Sequence, residues 1–600
     1  MQKTLYTLVA IIACVLLYSV HLLNQVPVDS GDGLSHYFIT QNVFFEPINL
    51  LDHWGKPLFT LFAAPFAYFG YNAYICFNII VFALTLFMSY RISQLLNVRS
   101  FVVLLFPVVL MASLDYTSNV LGGMTEVFFG FLVIISAWFM LKKQWFWFAL
   151  LVSFTPFARS EGQLIIPIAA FVLIYYRQWK IIPVLFLGFV IYGVIGFLVF
   201  QDFWWYFTQN PYQGASEIYG QGEWNHYINN WYLHLGLSGL IVLVLGVLAF
   251  TYSLLKRKIS AEKTLVILYF SVIYLGIICV HAYLWTQGKS GALGLSRLAI
   301  HGLPGVILAS IIAIDSLPWI RLKNIGTLIL FTSSLFFLFN FPVVHEQPFP
   351  KKAQPDEQAI LDAGSFCSAH LAEHKKTMVY YYHPLLAYAV GANLKNLSGR
   401  YIQKNFMFFE AEYKKMKDGD LIVWDSHFGN RDMNFPGDKF YLFDEIMRYT
   451  PFNQYVHSGQ ETAHVKILQV NKSNKNEVNI QRENVFQGPV SINKDSLYTN
   501  IALLHNNSEE IQVFEINVSN VDLTLPMVFL VIQHEDSGQA LTYELGEKNL
   551  WNFSLPKHLL GAFKVFVHNP NETQTGVEIN IYNIRASNKT TQTLETLEIQ

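Results

Sequence analysis

The sequence predicts a polytopic α-helical membrane protein with two water-soluble domains after its membrane part, one α/β and one resembling a β-sandwich. Of the 600 residues, 53% are hydrophobic and only 14% are charged, which is unlike the composition of a soluble protein. Apolar segments of membrane-spanning length recur up to residue 341. Polar residues and turn signals return after that point, as in a domain surrounded by water.

The apolar segments predict about eleven membrane crossings at ~20 residues per span. The first, 4–23, has no small-x-small cleavage site after it, so we interpret it as an uncleaved anchor rather than a signal peptide. The other predicted crossings lie at 72–96, 100–113, 118–141, 145–158, 163–176, 181–200, 235–255, 264–285, 298–315 and 324–341.

Positive charges predict the orientation of these crossings, because short cytoplasmic loops collect Lys and Arg. With a cytoplasmic N-terminus, most cations near the spans fall on the cytoplasmic side, Lys142, Arg177 and Arg257 among them. The cations on the outer side are Lys56, Arg159, Lys289 and Arg297. Because they run against this trend, we expect them to have another role. Because the number of predicted crossings is odd and the N-terminus is cytoplasmic, residues 343–600 are expected on the external side of the membrane.

The predicted domains are a membrane domain at 1–342, an α/β domain at 343–475 and a β-sandwich-like domain at 476–600. A Pro-rich, charged linker follows residue 342. Helical stretches then alternate with short apolar runs, which favours α/β structure, whereas strand patterns dominate later. The clearest strand patterns are 527–533, 540–545, 562–568 and 576–586.

Charge and cysteine content exclude several classes of function. The net charge of −2 argues against a nucleic-acid partner, because phosphate binding needs a basic surface. Cys14, Cys76 and Cys279 lie in apolar segments, and Cys367 stands alone. This spacing provides neither a disulfide framework nor a metal cluster.

The polar residues of the membrane domain converge on the outer ends of its spans. The stretch "VPVDSGDGLSHYF" (26–38) directly follows the first apolar segment and contains two carboxylates. Charged groups close to hydrocarbon are costly and favour a functional interpretation. The candidate residues on this side are Asp29, Asp32, His36, His53, Lys56, Glu126, Arg159, Glu161, Lys289, Arg297 and His301.

Carboxylates and cations at a membrane surface suit group transfer from a lipid-linked anion. A carboxylate can take a proton from an acceptor hydroxyl as a general base. Lys and Arg can bind a lipid phosphate and stabilise the charge that grows on it as it leaves. The lipid tail would enter from the bilayer, which places the reaction at this interface.

Four motifs together resemble the GT-C superfamily of membrane glycosyltransferases. They are the acidic first loop, "HWGKPL" (53–58), "RSEG" (159–162), and the arginine Arg297 before "HGLP" (301–304). The branch they are most similar to is the dolichyl-phosphate-mannose protein mannosyltransferase-like branch, together with its aminoarabinose-transferase relatives. The resemblance covers roughly residues 1–340. It depends on the order of the motifs and on their predicted position on the same, outer side of the membrane.

The resemblance implies an inverting transfer of sugar from a polyprenyl-phosphate donor to a hydroxyl of a protein, glycan or lipid acceptor. Asp29 or Asp32 matches the acidic first-loop residue that serves as the catalytic base in the family, and we prefer Asp29 because it is nearer the first span. Lys56 matches a lysine that binds the lipid phosphate, although Leu58 replaces the second proline of "KPP". Arg159 and Arg297 are the other expected phosphate ligands.

The remaining candidates are expected to bind substrate or support the site: His36, His53, Glu126, Glu161, Lys289 and His301. A divalent cation, Mg²⁺ or Mn²⁺, between Asp29 and Asp32 is left open, because two oxygen ligands do not specify a metal. The expected location is the bacterial inner membrane, with the C-terminal domains in the periplasm and the products in the cell envelope.

Other interpretations stay open at this point. Asp29 and Asp32 could instead be turn residues or helix caps, in which aspartate is common. Lys56 and Arg297 could extend to the lipid headgroups as snorkelling side chains. Arg159 and Glu161 could form a structural ion pair. The whole chain could instead be a transporter or flippase for a lipid-linked glycan. A second alternative is an outer-face phosphoryl transferase, which would use His383, Asp425 and His427. A third is a catalytically silent assembly protein.

The Lys/Arg distribution generates a topology prediction. In a variant without native cysteines, Lys475→Cys should react with a membrane-impermeant maleimide added outside intact inner-membrane spheroplasts, because residues after 342 are expected on that side. Lys142→Cys is the matched control and should react only after the membrane is opened. Labelling of residue 475 from the cytoplasm alone would invalidate the assignment of every outer-side residue.

Overall fold

The computed structural model describes much of the chain between residues 2 and 586. The residues within that range that it does not describe are 212–220, 290–293, 318–348, 392–399, 405, 407, 430–431, 436–441, 450–453, 457–464, 473–479, 493–496, 507–512, 520–527, 546–549, 556–560 and 571–574. The chain divides into two compact units, Met1–Lys352 and Ala353–Gln600.

The first unit is helical throughout its described part. Its longer helices are Gln2–Leu23, Asp32–Asn42, Pro57–Ala67, Tyr71–Leu95, Thr125–Leu141, Trp145–Ala158, Ile165–Tyr175, Leu187–Phe200, Gly236–Leu255, Ala261–Thr286 and Leu303–Asp315. Shorter helices are Ser100–Val103, Leu105–Met111, Leu114–Leu121, Trp205–Thr208, His226–Asn229 and Trp231–His234. Turns of 3-10 helix lie at Pro47–Leu51, Ser160–Leu164, Trp179–Phe186 and Ser296–Gly302.

The predicted membrane class is confirmed by these helices. By length and composition, six helices among the described residues are able to cross a membrane, or up to seven if a bent pair forms one span. Three shorter apolar helices accompany them. Each predicted crossing as far as 298–315 contains helix, and the last, 324–341, lies outside the described residues.

A sharp bend separates the helix Leu114–Leu121 from Thr125–Leu141, whose axes differ in direction by 109°. The bend occurs at Gly122 and Gly123. Gly123 has a φ of +72°, and a Cβ added there would lie 2.3 Å from the Tyr74 ring, so neither the conformation nor the space suits another residue. The Tyr74 hydroxyl donates to the Gly123 carbonyl oxygen at 2.6 Å and fixes the bend.

The loop after the first helix packs directly against this bend. A Cβ added at Gly33 would lie 2.1 Å from the Gly122 carbonyl oxygen. Only a glycine allows so close an approach of the two backbones. The contact places the carboxylates of the first loop beside the start of the helix Thr125–Leu141.

The second unit begins with the predicted α/β structure. Helices Pro355–Glu373, Pro384–Ala389 and Phe409–Lys415 alternate with the strands β1 (Val379–Tyr381), β2 (Tyr401–Gln403) and β3 (Leu421–Asp425). The sheet is completed by β4 (Phe443–Tyr449) and β6 (Val465–Val470), in the order β2-β1-β3-β6-β4. β1 pairs in parallel with β2 and β3, whereas β6 is antiparallel to β3 and β4.

Two further sheets form the predicted sandwich. One has the order β5-β11-β10-β13-β8 and the other β12-β9-β14-β7. Their strands are β5 (Gln454–Val456), β7 (Ile480–Ile492), β8 (Tyr498–Asn506), β9 (Val513–Ser519), β10 (Phe529–His534), β11 (Ala540–Glu544), β12 (Leu550–Ser554), β13 (Gly561–His568) and β14 (Thr575–Ala586). Side chains of both sheets share one apolar core, which includes Ile516, Ile532, Val565 and Ile579.

An ion cluster joins three helical segments in the first unit, on the side predicted to be cytoplasmic. Asp315 ends its helix with a carboxylate that is only 5% exposed. Its Oδ1 lies 2.8 Å from Arg99 Nε, and its Oδ2 lies 3.1 Å from Lys263 Nζ. A buried carboxylate with two cationic partners is costly to disturb, because the cations then lose their compensation.

We therefore expect Asp315→Asn to lower the free energy of unfolding by about 1–3 kcal/mol, less than for a fully buried pair because Arg99 is partly exposed. The measurement is thermal unfolding of the purified chain in detergent. The control is Asp202→Asn, which makes the same substitution at a carboxylate with neutral partners. The Asp202 carboxylate accepts hydrogen bonds from Trp204 N and Thr208 Oγ1. Equal melting temperatures for the Asp315 variant and the parent would contradict the expectation.

Candidate active site

Both predicted catalytic carboxylates contact one guanidinium. Asp29 Oδ1 accepts hydrogen bonds from the backbone N–H groups of Gly31 (3.1 Å) and Gly33 (2.9 Å), which fix the carboxylate in its loop. Asp29 Oδ2 accepts from Arg297 Nη1 at 3.1 Å, and Asp32 Oδ2 contacts Arg297 Nη2. Arg297 thus holds together two acids that would otherwise repel each other.

Glu126 connects this group to a second arginine. Glu126 lies in the first turn after the helix bend and is only 1% exposed. Its Oε1 is 3.8 Å from Arg297 Nε and 3.3 Å from Arg159 Nη1. Arg159 Nη1 also donates to Thr125 Oγ1 at 3.0 Å. The carboxylate therefore bridges two guanidiniums that approach from different segments.

Glu161 binds the other side of Arg159. Its Oε1 lies 3.2 Å from Arg159 Nη2, and the His281 Nε2 atom is 3.0 Å from the same oxygen. The fully buried His301 places its Nε2 3.7 Å from that oxygen. The predicted pairing of Arg159 with Glu161 is present, and it is one link in a longer arrangement.

These contacts form a continuous chain of charges, which we call the ion network: Asp29, Asp32, Arg297, Glu126, Arg159 and Glu161. Each guanidinium is in contact with at least two of the four carboxylates. Buried charges require such compensation, and Arg suits it because its fork of donors can serve several oxygens at once. Carboxylates outnumber guanidiniums, so the ion network carries an excess of negative charge.

Lys56 lies beside the ion network in an unusual backbone conformation. Its φ of +63° is in the left-handed region, which a residue with a side chain rarely adopts. Pro57 directly follows and begins the helix Pro57–Ala67. Lys56 Nζ donates to the His53 carbonyl oxygen at 2.9 Å, and the side chain is 7% exposed, so it does not snorkel to the headgroups.

The surroundings change the proton affinity of two groups in these loops. Burial, followed by the nearby Arg159, lowers the pKa of Lys56 to about 7. Burial also raises the pKa of Asp29 above its ordinary value, while Arg297 acts in the opposite direction. Lys56 is therefore poised to gain or lose its charge near neutral pH, and Asp29 is a stronger proton acceptor than an exposed aspartate.

The other predicted residues are placed as follows. His36 is 3% exposed, and its ring packs near Trp54 and Phe59 at centroid distances of 6.3 Å. His53 packs against the rings of Trp205 (4.8 Å) and Tyr206 (5.3 Å). Lys289 is exposed and makes no ion pair with a described residue.

Residues of the ion network give no support to a divalent cation. Among the described residues, no group of three or more His, Cys, Asp or Glu side chains has an arrangement that could hold a metal ion. The Arg297 guanidinium contacts both Asp29 and Asp32, where a bridging cation would have to bind. The positive charge between these acids is an arginine in this structure.

One cavity adjoins the ion network and another lies beside Lys56. The first, of about 160 Å³, is lined by Asp29, Asp115, Asn119, Ser296 and Arg297 among others. The second, of about 40 Å³, is lined by His53, Lys56, Ser160, Gln163 and Tyr206 among others. The two cavities share no lining residue, so ligands could bind beside Asp29 and beside Lys56 separately.

The histidines of the second unit lie apart from these charges in the sequence and form their own cluster. His383 follows β1, and Asp425 ends β3. The Phe428 ring lies 4.9 Å from the His383 ring and 4.5 Å from the His427 ring. Asp425 Oδ1 accepts from the backbone N–H groups of His427 and Phe428, as in an ordinary turn.

The sequence prediction omitted three polar residues that the structure brings to the site. His281 lies near the end of an apolar helix, where a lone histidine was the only available signal. Asn119 is buried and lines the larger cavity. Asp115 lines the same cavity, and although it is not among the candidate residues, it lies with them at the outer end of a predicted span.

Comparisons with known proteins identify similar structures but no similar sequence. No protein-family model matches the chain, and no curated protein matches it by sequence. Solved structures of ArnT from Cupriavidus metallidurans, one of them bound to undecaprenyl phosphate, have a TM-score of 0.48 and 8–9% identity. They cover 78% of this chain and 98% of the ArnT chain.

Two mycobacterial structures are also similar. Arabinofuranosyltransferase AftD from Mycobacteria has a TM-score of 0.42 and 9% identity, over 99% of this chain and 62% of AftD. Arabinosyltransferase EmbB from Mycobacterium smegmatis has a TM-score of 0.36 and 8% identity, over 96% of this chain and 64% of EmbB. Identities and scores are low, so the function proposed below rests on the geometry of the ion network.

Proposed function

We propose that the chain is a membrane glycosyltransferase that moves a sugar from a polyprenyl-phosphate donor to an acceptor hydroxyl, with inversion at the anomeric carbon. The observation that carries the proposal is the Asp29 carboxylate, which two backbone N–H groups and Arg297 hold in place beside a polar cavity. A positioned carboxylate with a raised pKa suits a general base.

The proposed reaction transfers one proton and exchanges one bond. The acceptor O–H proton moves to Asp29 while the acceptor oxygen bonds to the anomeric carbon. The bond between that carbon and the phosphate oxygen breaks, and its electron pair leaves with the phosphate. Because the acceptor attacks from the face opposite the leaving phosphate, the configuration at the anomeric carbon inverts.

The ion network divides the supporting roles. Arg297 keeps Asp29 and Asp32 close together and stabilises their charge before the proton arrives. Glu126 and Glu161 pair with Arg159, so both arginines are compensated by carboxylates. We assign the donor phosphate to the Lys56 side, where Ser160 and Gln163 supply further polar groups around the smaller cavity.

A polyprenyl donor fits the position of the site in the helical unit. The groups that surround Lys56 and Asp29 come from loops at the ends of apolar helices, so a lipid tail can stay in the bilayer while its phosphate reaches Lys56. ArnT, one of the similar structures, binds undecaprenyl phosphate. The proposed location is the bacterial inner membrane, with the second unit in the periplasm.

The catalytic assignment predicts the effect of removing each carboxylate charge. In cells that express the full chain, the glycosidic linkages that depend on it are measured by mass spectrometry of the envelope glycans. Asp29→Asn should reduce their rate of formation by about 10²–10⁴-fold, as expected for loss of a general base. Asp32→Asn should have a smaller effect, because Asp32 supports the position of Arg297.

Melting temperatures and Asp202→Asn provide the controls for folding and for the substitution itself. Turnover of both Asp29→Asn and Asp32→Asn within a few-fold of the parent would refute the mechanism. Lipid translocation without any new glycosidic bond would show a flippase instead.

The position of the Lys56 pKa predicts a pH-dependent affinity for the donor phosphate. A lysine with a lowered pKa is charged below that pKa and neutral above it. Undecaprenyl phosphate should therefore bind the purified chain about tenfold more tightly at pH 6.5 than at pH 8.5, because a pKa of about 7 leaves few Lys56 amines charged at the higher pH. Native mass spectrometry over this pH range measures the difference.

Two variants separate Lys56 from titration of the phosphate itself. Lys56→Arg keeps its charge across the whole range and should flatten the pH dependence, whereas Lys56→Met should bind weakly at both pH values. If the parent and Lys56→Arg show the same slope, titration of the ligand explains it and Lys56 is not the phosphate ligand.

A further inference from the structure

The larger cavity beside Asp29 has a polar wall with a definite hydrogen-bonding character. Asp29, Asp115, Ser118, Asn119, Ser296 and Arg297 line it, and its volume is about 160 Å³. That is about five times the space of one water molecule in the liquid, which is about 30 Å³. The cavity therefore has room for a larger part of a substrate than one hydroxyl group.

Buried acceptor atoms in this wall have no partner in the described protein. Asp115 Oδ2 and Asn119 Oδ1 are both buried and accept no hydrogen bond from a described residue. Asn119 is only 4% exposed, and its amide nitrogen donates to the Asp115 carbonyl oxygen at 2.6 Å, so its oxygen is the atom left for another donor. Buried polar atoms without partners are rare and indicate a ligand or water.

The guanidinium in the same wall is already paired with carboxylates. Arg297 Nη1 and Nη2 are engaged by Asp29 and Asp32, and its Nε faces Glu126 Oε1 at 3.8 Å. A ligand that satisfies the two unpaired oxygens must then supply at least two O–H or N–H donors. Neighbouring hydroxyls of a sugar ring place two donors within a few ångströms of each other.

Resting on the proposed function, we propose that this cavity binds the acceptor and that the acceptor is an uncharged carbohydrate, with Asp115 and Asn119 as its specificity-determining residues. The hydroxyl nearest Asp29 is the attacking group, and Asp115 and Asn119 accept hydrogen bonds from its neighbours. A site that is built to pair several hydroxyls discriminates strongly against a substrate that lacks them.

Charge and hydrogen-bond number disfavour other acceptors. A phosphate group in this cavity would face the carboxylates of Asp29 and Asp115, and like charges at short distance repel strongly in a poorly solvated site. The Arg297 guanidinium in the same wall does not offset this repulsion, because Asp29 and Asp32 already compensate its charge. A serine or threonine side chain offers a single O–H donor, which as the attacking group would point at Asp29 and leave no side-chain hydroxyl for either buried oxygen. The phosphate of the donor lipid is assigned to the separate Lys56 cavity.

The test uses the full chain in lipid nanodiscs and a panel of small probes. Saturation-transfer NMR measures binding of neutral methyl glycosides, glucose 6-phosphate and a short threonine peptide. We expect the chain to bind at least one neutral glycoside and to bind the phosphorylated sugar and the peptide at least tenfold more weakly. Asp115→Asn and Asn119→Leu should each weaken glycoside binding by about tenfold.

Matched measurements keep this inference separate from the proposed function. Asp202→Asn repeats the Asp115 substitution away from the cavity and should leave glycoside binding unchanged. Undecaprenyl phosphate should bind both cavity variants as it binds the parent, which also shows that the variants are folded. Three outcomes would each overturn the assignment. They are an unchanged glycoside affinity in both variants, stronger binding of the phosphorylated sugar than of the neutral glycosides, and no glycoside binding by the parent.

Failure of the proposed function gives a different pattern. The parent would then bind no undecaprenyl phosphate and form no glycosidic linkage, while the glycoside panel still reports on the cavity. Normal donor binding with a glycoside affinity that does not depend on Asp115 or Asn119 would instead overturn only the acceptor assignment.

Discussion

The compensation of buried carboxylates by Arg297 and Arg159 is the constraint on which the arrangement of the helical unit depends. Glu126 is almost completely buried and would be expensive to ionise without a cation close by. Its two guanidinium partners come from the loop before Ser160 and from the turn Ser296–Gly302. Separate parts of the chain must therefore be in their final positions before the charges are paired.

This pairing also limits which groups can take part in chemistry. An arginine that already contacts two carboxylates cannot leave them for a substrate without exposing those acids to each other, so the arginines serve better as organisers than as mobile ligands. Lys56 differs because its Nζ bonds a neutral carbonyl, and its lowered pKa reflects burial more than any neighbour. The geometry thus places Lys56, whose lowered pKa makes its charge sensitive to pH, beside arginines that are paired with carboxylates.

Local patterns in the sequence predicted the helices, the four strands β10, β11, β13 and β14, and the neighbouring pair Arg159 and Glu161, because each depends on residues close together in the chain. The contact between Arg297 and Asp29 joins residues 268 positions apart, and only their shared position at the outer ends of the predicted spans indicated it. His281 gave almost no signal, since one histidine in an apolar helix is compatible with simple packing. Strand β5, at 454–456, pairs with β11 of the sandwich although it precedes the predicted start of that domain, and no periodicity in three residues can specify a distant partner.

Backbone geometry explains why the acidic loop can approach the ion network at all. Asp29 is fixed by hydrogen bonds to Gly31 and Gly33, and Gly33 lies so near the Gly122 carbonyl that any side chain would force the loop away. The same helix bend puts Asn119 before it and Glu126 after it, so one wall carries both a cavity with unpaired acceptors and a carboxylate paired to arginine. Carboxylates are paired with guanidiniums on one side of Asp29, and hydrogen-bonding capacity is left open on the other. Asp29, the general base that we propose, lies between those two environments, and Arg297 can keep its orientation while the proposed neutral acceptor binds in the cavity.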